Sequence, residues 1–365
     1  MLAVLSGGGT AGHINPALAL AEVLQEQGHQ VRFAGTPNGV EARLVPAAGI
    51  SFEAFQASGF DRSRPWTLVT GVLAIAKSAR RAKKWLRDIS ADVVVGFGGY
   101  VSIPVAMAAE QLGIPVVVHE QNSVMGMANR QLSKKAFATC LTYGIAAEGT
   151  EARNPIVTGN PVRSSVLSST RGEGRALLGF PEEDVMLLVF GGSLGARHIN
   201  QALCAMKEQL LGVPGLRVVH ITGPKELETV QEALSLSEQE QERWLVMGYQ
   251  DRMGETLAAA DCIVSRAGAT SLAEISARAI PAILVPFPFA TADHQTTNAL
   301  AYVAAGCASM VADDQVESPE FAAQVLRLVQ DEELRESMRQ AARAQKTADA
   351  GRRLADVVLQ AAASR

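Results

Sequence analysis

Apolar residues along this chain come in short runs, each followed by a stretch in which they recur at helical spacing. Continuous apolar runs at 2–5, 31–34, 93–95, 116–119, 157–158, 186–190, 218–221, 245–246, 262–264 and 282–285 read as buried strands. Stretches such as 17–27 and 269–279 carry apolar residues every three or four positions and read as helices. Strand and helix alternate over the whole length. That predicts an α/β protein whose parallel sheets are covered on both faces. The pattern breaks at Gly159-Asn160-Pro161-Val162-Arg163, and the polar stretch 164–174 after it predicts a hinge. The segment 319–365 is charge-rich and helical in pattern.

Two glycine-rich turns punctuate this alternation. Ser6-Gly7-Gly8-Gly9-Thr10-Ala11-Gly12-His13 follows the first apolar run, and Phe190-Gly191-Gly192-Ser193-Leu194-Gly195-Ala196-Arg197 follows the run at 186–190. Each predicts strand, tight turn, helix. Such a turn aims backbone N–H groups and the positive end of a helix dipole at whatever lies above it. At 365 residues the chain is long for one core. Two doubly wound domains follow, facing each other across a cleft that holds an anionic ligand.

Composition narrows the partners. A net charge of −4 gives no reason to expect nucleic acid. Cys140, Cys204, Cys262 and Cys307 are scattered without ligand spacing, which fits free thiols in a reducing cytoplasm. The first apolar run has no basic residues before it, so it does not read as a signal peptide. The longest apolar stretches, 65–76 and 280–290, are too short to span a bilayer. The charge is uneven, however. Arg62, Arg64, Lys77, Arg80, Arg81, Lys83, Lys84 and Arg87 accumulate with no acid until Asp88. Val69, Val72, Ala76, Ala79 and Leu86 form a stripe expected to face the first sheet. Trp66, Leu68, Leu73 and Ile75 lie off that stripe. An apolar tip beside a basic face predicts docking on a surface of anionic lipids.

Candidate chemistry clusters after the strands. Gly7-x-Gly9-x-x-Gly12 matches a dinucleotide fingerprint. The second strand, though, runs into Gly35-Thr36-Pro37 with no acid to hold a ribose, which argues against an NAD-dependent oxidoreductase. Gly96-Phe97-Gly98-Gly99-Tyr100 makes a third glycine turn. His119-Glu120-Gln121-Asn122 ends a buried run, where side chains reach the rim of an open α/β sheet. Ser271-x-x-Glu274 reads either as a capping box or as a helix start that holds a nucleoside diphosphate, with the carboxylate on the ribose. Asp293-His294-Gln295 suits sugar hydroxyls. No Asp-x-Asp pair occurs, so nothing resembles a cage for Mg²⁺ or Mn²⁺. Helix dipoles and the Arg163 guanidinium are then expected to take a leaving group's charge, with no cofactor. A non-catalytic nucleotide-sugar binder is the other class left open.

Seven motifs stand in one order: Gly8 to His13, Gly98 to Ser102, His119 to Asn122, Gly159 to Arg163, Gly191 to Arg197, Gly268 to Glu274, and Asp293 to Gln295. Together they closely resemble the bacterial MurG family over nearly the whole chain. The resemblance implies a GT-B fold of two Rossmann-like domains, 1–162 and 163–345, with a final helix at about 346–365 crossing back to the first. It implies an inverting transfer of N-acetylglucosamine from UDP-N-acetylglucosamine (UDP-GlcNAc) to the 4-hydroxyl of lipid I, giving lipid II for peptidoglycan. The implied location is peripheral, at the cytoplasmic face of the inner membrane. Ser193, Ala269, Thr270 and Ser271 are implied to contact the diphosphate, with Arg163 nearby. Glu274 is implied to hold the ribose, Gln295 and Asn122 the sugar, and Gln250 the uracil edge. Thr10, Ala11 and Gly12 are implied to close over the donor. Ala11 stands where a glycine is common, so a positive φ there would be strained. For the general base His13 is the first candidate, since imidazole titrates near neutral pH, and Glu120 the second. A histidine that merely bonds the loop is the plainer reading of His13. Another GT-B enzyme with a different lipid or small-molecule acceptor is the closest alternative function.

Overall fold

The computed structural model describes residues 1–56, 66–192, 196–345 and 347–365, with the side chains of 66–74 outside that description. It divides into two compact units, residues 1–163 with 349–365, and residues 164–348.

The first unit is built on a seven-stranded parallel sheet. Its strands are β1 (Leu2–Ser6), β2 (Gln30–Gly35), β3 (Ser51–Ala54), β4 (Val93–Gly96), β5 (Val116–Glu120), β6 (Ala138–Leu141) and β7 (Pro155–Val157). They stand in the order β3-β2-β1-β4-β5-β6-β7. The chain reverses direction across the sheet between β1 and β4, which pair with Ser6 opposite Gly96. Both strands end there in glycine turns, so this switch point is where a ligand of such a sheet sits. Helices α1 (Ala11–Glu26), α2 (Glu41–Ala47), α3 (Trp66–Asp88), α4 (Ser102–Gln111) and α5 (Met127–Leu132) follow successive strands. The C-terminal helix Ala350–Ala363 packs here too, burying Leu354, Ala355, Val358 and Ala361 in one cluster with Ile14 and Leu18 of α1.

The second unit repeats the device with six parallel strands: β8 (Val185–Phe190), β9 (Leu216–Ile221), β10 (Trp244–Met247), β11 (Cys262–Ser265), β12 (Ala282–Leu284) and β13 (Ala308–Met310). Their order is β10-β9-β8-β11-β12-β13. The switch point falls between β8 and β11, with Phe190 opposite Ser265. All ten predicted runs lie in or overlap strands, and β3, β6 and β13 are additions. The stretch 164–174, expected as a hinge, begins where the two units divide, between Arg163 and Ser164, and it is largely helical. Helices Ser164–Ser168 and Arg171–Leu178 occupy it, and Thr170 and Glu173 form the capping box of the second. Gly174 lies so close to the Glu255 backbone that no Cβ fits between them.

Candidate active site

In the first unit the site grows from the turn after β1. Gly9 takes the left-handed conformation, φ +95°, and Thr10 caps α1 with extended backbone. Ala11 is therefore the first helical residue, and the strain expected of it falls instead on a glycine. Thr10 is exposed, and Ala11, Gly12 and His13 are half-buried in the first turn of α1. His13 Nδ1 lies 3.0 Å from the Gly8 carbonyl. A carbonyl only accepts, so Nδ1 is the donor, and in the neutral ring the lone pair is on Nε2. A Cβ on Gly98 would stand 3.3 Å from that Nε2, so the glycine leaves it room. Ser102 ties the neighbouring turn down, donating to Ser6 O at 2.9 Å and Gly98 O at 2.8 Å.

The end of β5 is arranged otherwise than expected. His119, Glu120 and Gln121 are buried, at 0%, 2% and 1% exposure, rather than lining a rim. Glu120 Oε1 accepts the Asn122 N–H at 3.0 Å and its Nδ2 at 3.3 Å. Oε2 accepts the Gly126 N–H at 3.0 Å and Asn129 Nδ2 at 2.8 Å. The carboxylate is thus the anchor of the loop leading to α5. His119 Nε2 donates to Gly159 O at 2.9 Å, and Nδ1 accepts from Gln121 Nε2 at 3.1 Å. Burial pushes its pKa down to about 4, so the ring is neutral. Asn122 itself is half-buried. Arg163 pairs through Nε with Glu22 of α1 at 2.5 Å, so the expected phosphate cation is held by a carboxylate of its own unit.

In the second unit the helix Ala269–Ala277 begins directly after the turn that follows β11. Its N-cap is Gly268, with no side-chain cap bond. Ser271 and Glu274 therefore lie inside the helix, which overturns the capping-box reading. Thr270 and Glu274 are four apart and share a face, and both are half-buried, as is Ser271. Gln295 Oε1 accepts Ala267 N–H at 3.1 Å and Phe287 N–H at 2.9 Å, tying the turn after β11 to the turn after β12. Gln250 Oε1 accepts the Arg252 N–H at 2.9 Å. Ser193 lies outside the described residues.

Sequence reasoning missed a strut beneath these turns. Arg266, 7% exposed, donates to Val285 O and Pro286 O, each at 3.2 Å, and pairs with Asp313 at 2.5 Å. Asp313 also meets His198 Nδ1 at 2.6 Å. These partners lie far apart in sequence, so no local pattern announces them. No group of three His, Cys, Asp or Glu side chains among the described residues could hold a metal ion.

Comparison with known proteins bears on this arrangement. The model of the glycosyltransferase family 28 N-terminal domain matches residues 3–140, and that of its C-terminal domain matches residues 186–354. A protein of Leuconostoc mesenteroides subsp. mesenteroides is 41% identical over 364 residues, 99% of each chain. Its name is UDP-N-acetylglucosamine--N-acetylmuramyl-(pentapeptide) pyrophosphoryl-undecaprenol N-acetylglucosamine transferase. A protein of the same name from Halothermothrix orenii is 38% identical over 91% of each chain. The chain belongs to the MurG family. The crystal structure of Acinetobacter baumannii MurG superposes with a TM-score of 0.76 at 30% identity, covering 98% of this chain and 99% of that one. The two parallel-sheet Rossmann-like units are the GT-B architecture of that family. Both glycine turns lie within the family matches, the first within 3–140 and the second within 186–354.

Proposed function

We propose that this MurG-family chain is the inverting transferase that moves N-acetylglucosamine from UDP-GlcNAc to the 4-hydroxyl of lipid I. The observation that carries the reaction is 41% identity, over 99% of both chains, to an enzyme named for that transfer. The observation that carries the mechanism is the Nδ1 bond of His13. The tautomer it fixes presents Nε2 as an acceptor, so His13 takes the proton of the attacking hydroxyl. The acceptor oxygen bonds to C1 as the bond from C1 to the diphosphate oxygen breaks, and UDP leaves with that electron pair. One displacement inverts the centre. Glu120, its oxygens committed to four hydrogen bonds, serves as loop anchor and not as base.

The N-terminus of Ala269–Ala277 receives the diphosphate, with Thr270 and Ser271 adding hydroxyls and Ser193 assisting. Glu274 accepts from the ribose, the Gln295 amide and Asn122 hold the sugar, and Gln250 marks the uracil edge. Thr10, Ala11 and Gly12 cover the donor. Arg163, oriented by Glu22, adds positive charge near the phosphates. These groups neutralise the leaving diphosphate without a divalent ion.

The acceptor's lipid tail requires the enzyme at the cytoplasmic face of the inner membrane as a peripheral protein. No described helix is long and apolar enough to cross a membrane. The exposed Lys77, Arg80, Arg81, Lys84 and Arg87 of α3 support docking on anionic lipids. Arg81 pairs with Glu53 and Lys84 with Asp88, so Lys77 and Arg80 carry more of the attraction. Ala79, Ala82 and Leu86 form the buried stripe, whereas Ala76, expected in it, is exposed. Val69 and Val72, with Trp66, Leu68 and Leu73, have side chains outside the described residues. Arg62 and Arg64 lie outside them altogether. Supplying labelled UDP-GlcNAc with either a lipid I analogue or diacylglycerol tests the reading. Transfer to the first alone supports it, and transfer to diacylglycerol alone makes the chain a different GT-B enzyme.

A further inference from the structure

Glu41 is a buried carboxylate that the mechanism above does not use. It opens α2 and has 0% exposure. Oε1 accepts the Thr36 N–H at 2.9 Å and the Thr36 hydroxyl at 2.5 Å. Oε2 has no hydrogen-bond partner among the described residues. Burying a carboxyl group with one oxygen unpartnered is costly, and its position shows what the fold gains from it.

The side chain fills the space that three neighbouring residues leave empty. A Cβ on Gly8 would stand 2.6 Å from Oε1, and a Cβ on Gly35 2.6 Å from Cγ. A Cβ on Gly39 would overlap the carboxylate itself. None of these three glycines has a left-handed φ. Their lack of a side chain therefore leaves room for Glu41, and at Gly35 equally for Phe52, whose Cε2 would also stand 2.6 Å from a Cβ.

Gly8 is the residue whose carbonyl receives His13 Nδ1. The turn after β4 closes on its other side. A Cβ on Gly99 would lie 2.6 Å from Gly8 O and 3.0 Å from Gly8 N, and one on Gly8 would lie 3.2 Å from Val101 Cγ1. The Gly8 peptide is thus packed between the Glu41 carboxylate and the backbone of the neighbouring turn.

We propose that Glu41 is a positioning residue for the transfer reaction, backing the Gly8 peptide so that its carbonyl fixes the tautomer and direction of His13. The inference rests on His13 being the base. Glu41 touches no substrate, so removing it slows the chemical step and leaves nucleotide binding, which Gln250, Thr270, Ser271 and Glu274 of the second unit carry in this reading, unchanged. Glutamine keeps the shape and an oxygen for Thr36. Aspartate, one methylene shorter, withdraws the group from Gly8.

The test measures kcat, donor KM and UDP affinity for the full chain with a lipid I analogue. Glu41→Ala is expected to lower kcat about 10- to 100-fold, as small misplacements of catalytic groups do. Donor KM and UDP affinity should stay within about twofold, and Glu41→Gln should keep kcat within about threefold. If Glu41→Ala does not fold, Glu41→Asp against Glu41→Gln makes the same comparison, with the aspartate the slower. Gly8→Ala should cost less kcat in the Glu41→Ala background than alone, because the clash is then gone. Normal kcat in Glu41→Ala, equal loss in the glutamine variant, or a joint fall of kcat and UDP affinity overturns the role. Failure of the unaltered chain to glycosylate the analogue would instead overturn the functional reading.

Discussion

At His13 one hydrogen bond carries the proposed mechanism. With Nδ1–H spent on Gly8 O, the ring offers Nε2 and nothing else as a base. His13→Ala should therefore lower kcat by about 10²–10⁴-fold, the usual worth of a positioned base. UDP affinity by calorimetry should hardly change, and a parallel loss of both would make His13 a binding residue. Glu120→Ala should act on stability first, because it strands buried donors at a cost of about 1–3 kcal/mol each. A lowered melting temperature checks this, and full stability with no activity would return Glu120 to the chemistry. His119 and His220 are both buried neutral, with burial pushing each pKa down to about 4. The unfolded chain takes up those protons near pH 6.5. Their contribution is full above that pH and is lost as pH falls toward 4, by up to roughly 3 kcal/mol for each. Urea midpoints measured between pH 8 and pH 4 should be flat and then fall, and His119→Gln should flatten the fall. The glycine spacing and His13 were legible in sequence because turn and helix start are local. The roles of Glu120 and Glu41 were not. Asn129 reaches Glu120 only when the loop folds back, and Gly8 meets Glu41 only across β1 and β2.

At the scale of elements, alternation was readable where strands are apolar throughout. β3 has the sequence Ser-Phe-Glu-Ala and is only half-buried at the sheet edge, so it carries no continuous apolar run. β13 is an edge strand of three small or flexible residues. β6 is fully buried, but its Ala-Thr-Cys-Leu is too short and too polar to stand out. The helix Ala269–Ala277 was legible in place and not in detail, since Gly268 rather than Ser271 caps it. Glu274→Ala should weaken UDP binding by about 1.5–3 kcal/mol, the worth of a hydrogen bond to a charged group. Titration calorimetry on the folded variant measures it, and unchanged affinity would leave Glu274 an ordinary helical residue. For α3, changing Lys77, Arg80, Arg81 and Lys84 to Glu should abolish co-sedimentation with anionic vesicles, each cation contributing about 1 kcal/mol. Equal binding to neutral vesicles would make α3 an ordinary solvated helix.

The whole molecule is one physical device used twice. Each sheet reverses its strand order beside a glycine turn and presents the start of a helix there. In the proposed reaction one unit supplies the base, and the other supplies the dipole and carboxylate for a nucleoside diphosphate. Sequence alternation gave the parallel sheets, but strand order depends on which faces pack together and had to be seen. In the proposed reaction no metal carries the leaving group's charge. The most direct test incubates ¹³C-labelled UDP-GlcNAc and a soluble lipid I analogue with the protein in excess chelator and examines the product by NMR. The predicted result is a β-linked N-acetylglucosamine on the 4-oxygen of the muramyl sugar, formed at most of the rate seen with Mg²⁺. An α-linkage, a different acceptor oxygen, or no product while UDP still binds would contradict it.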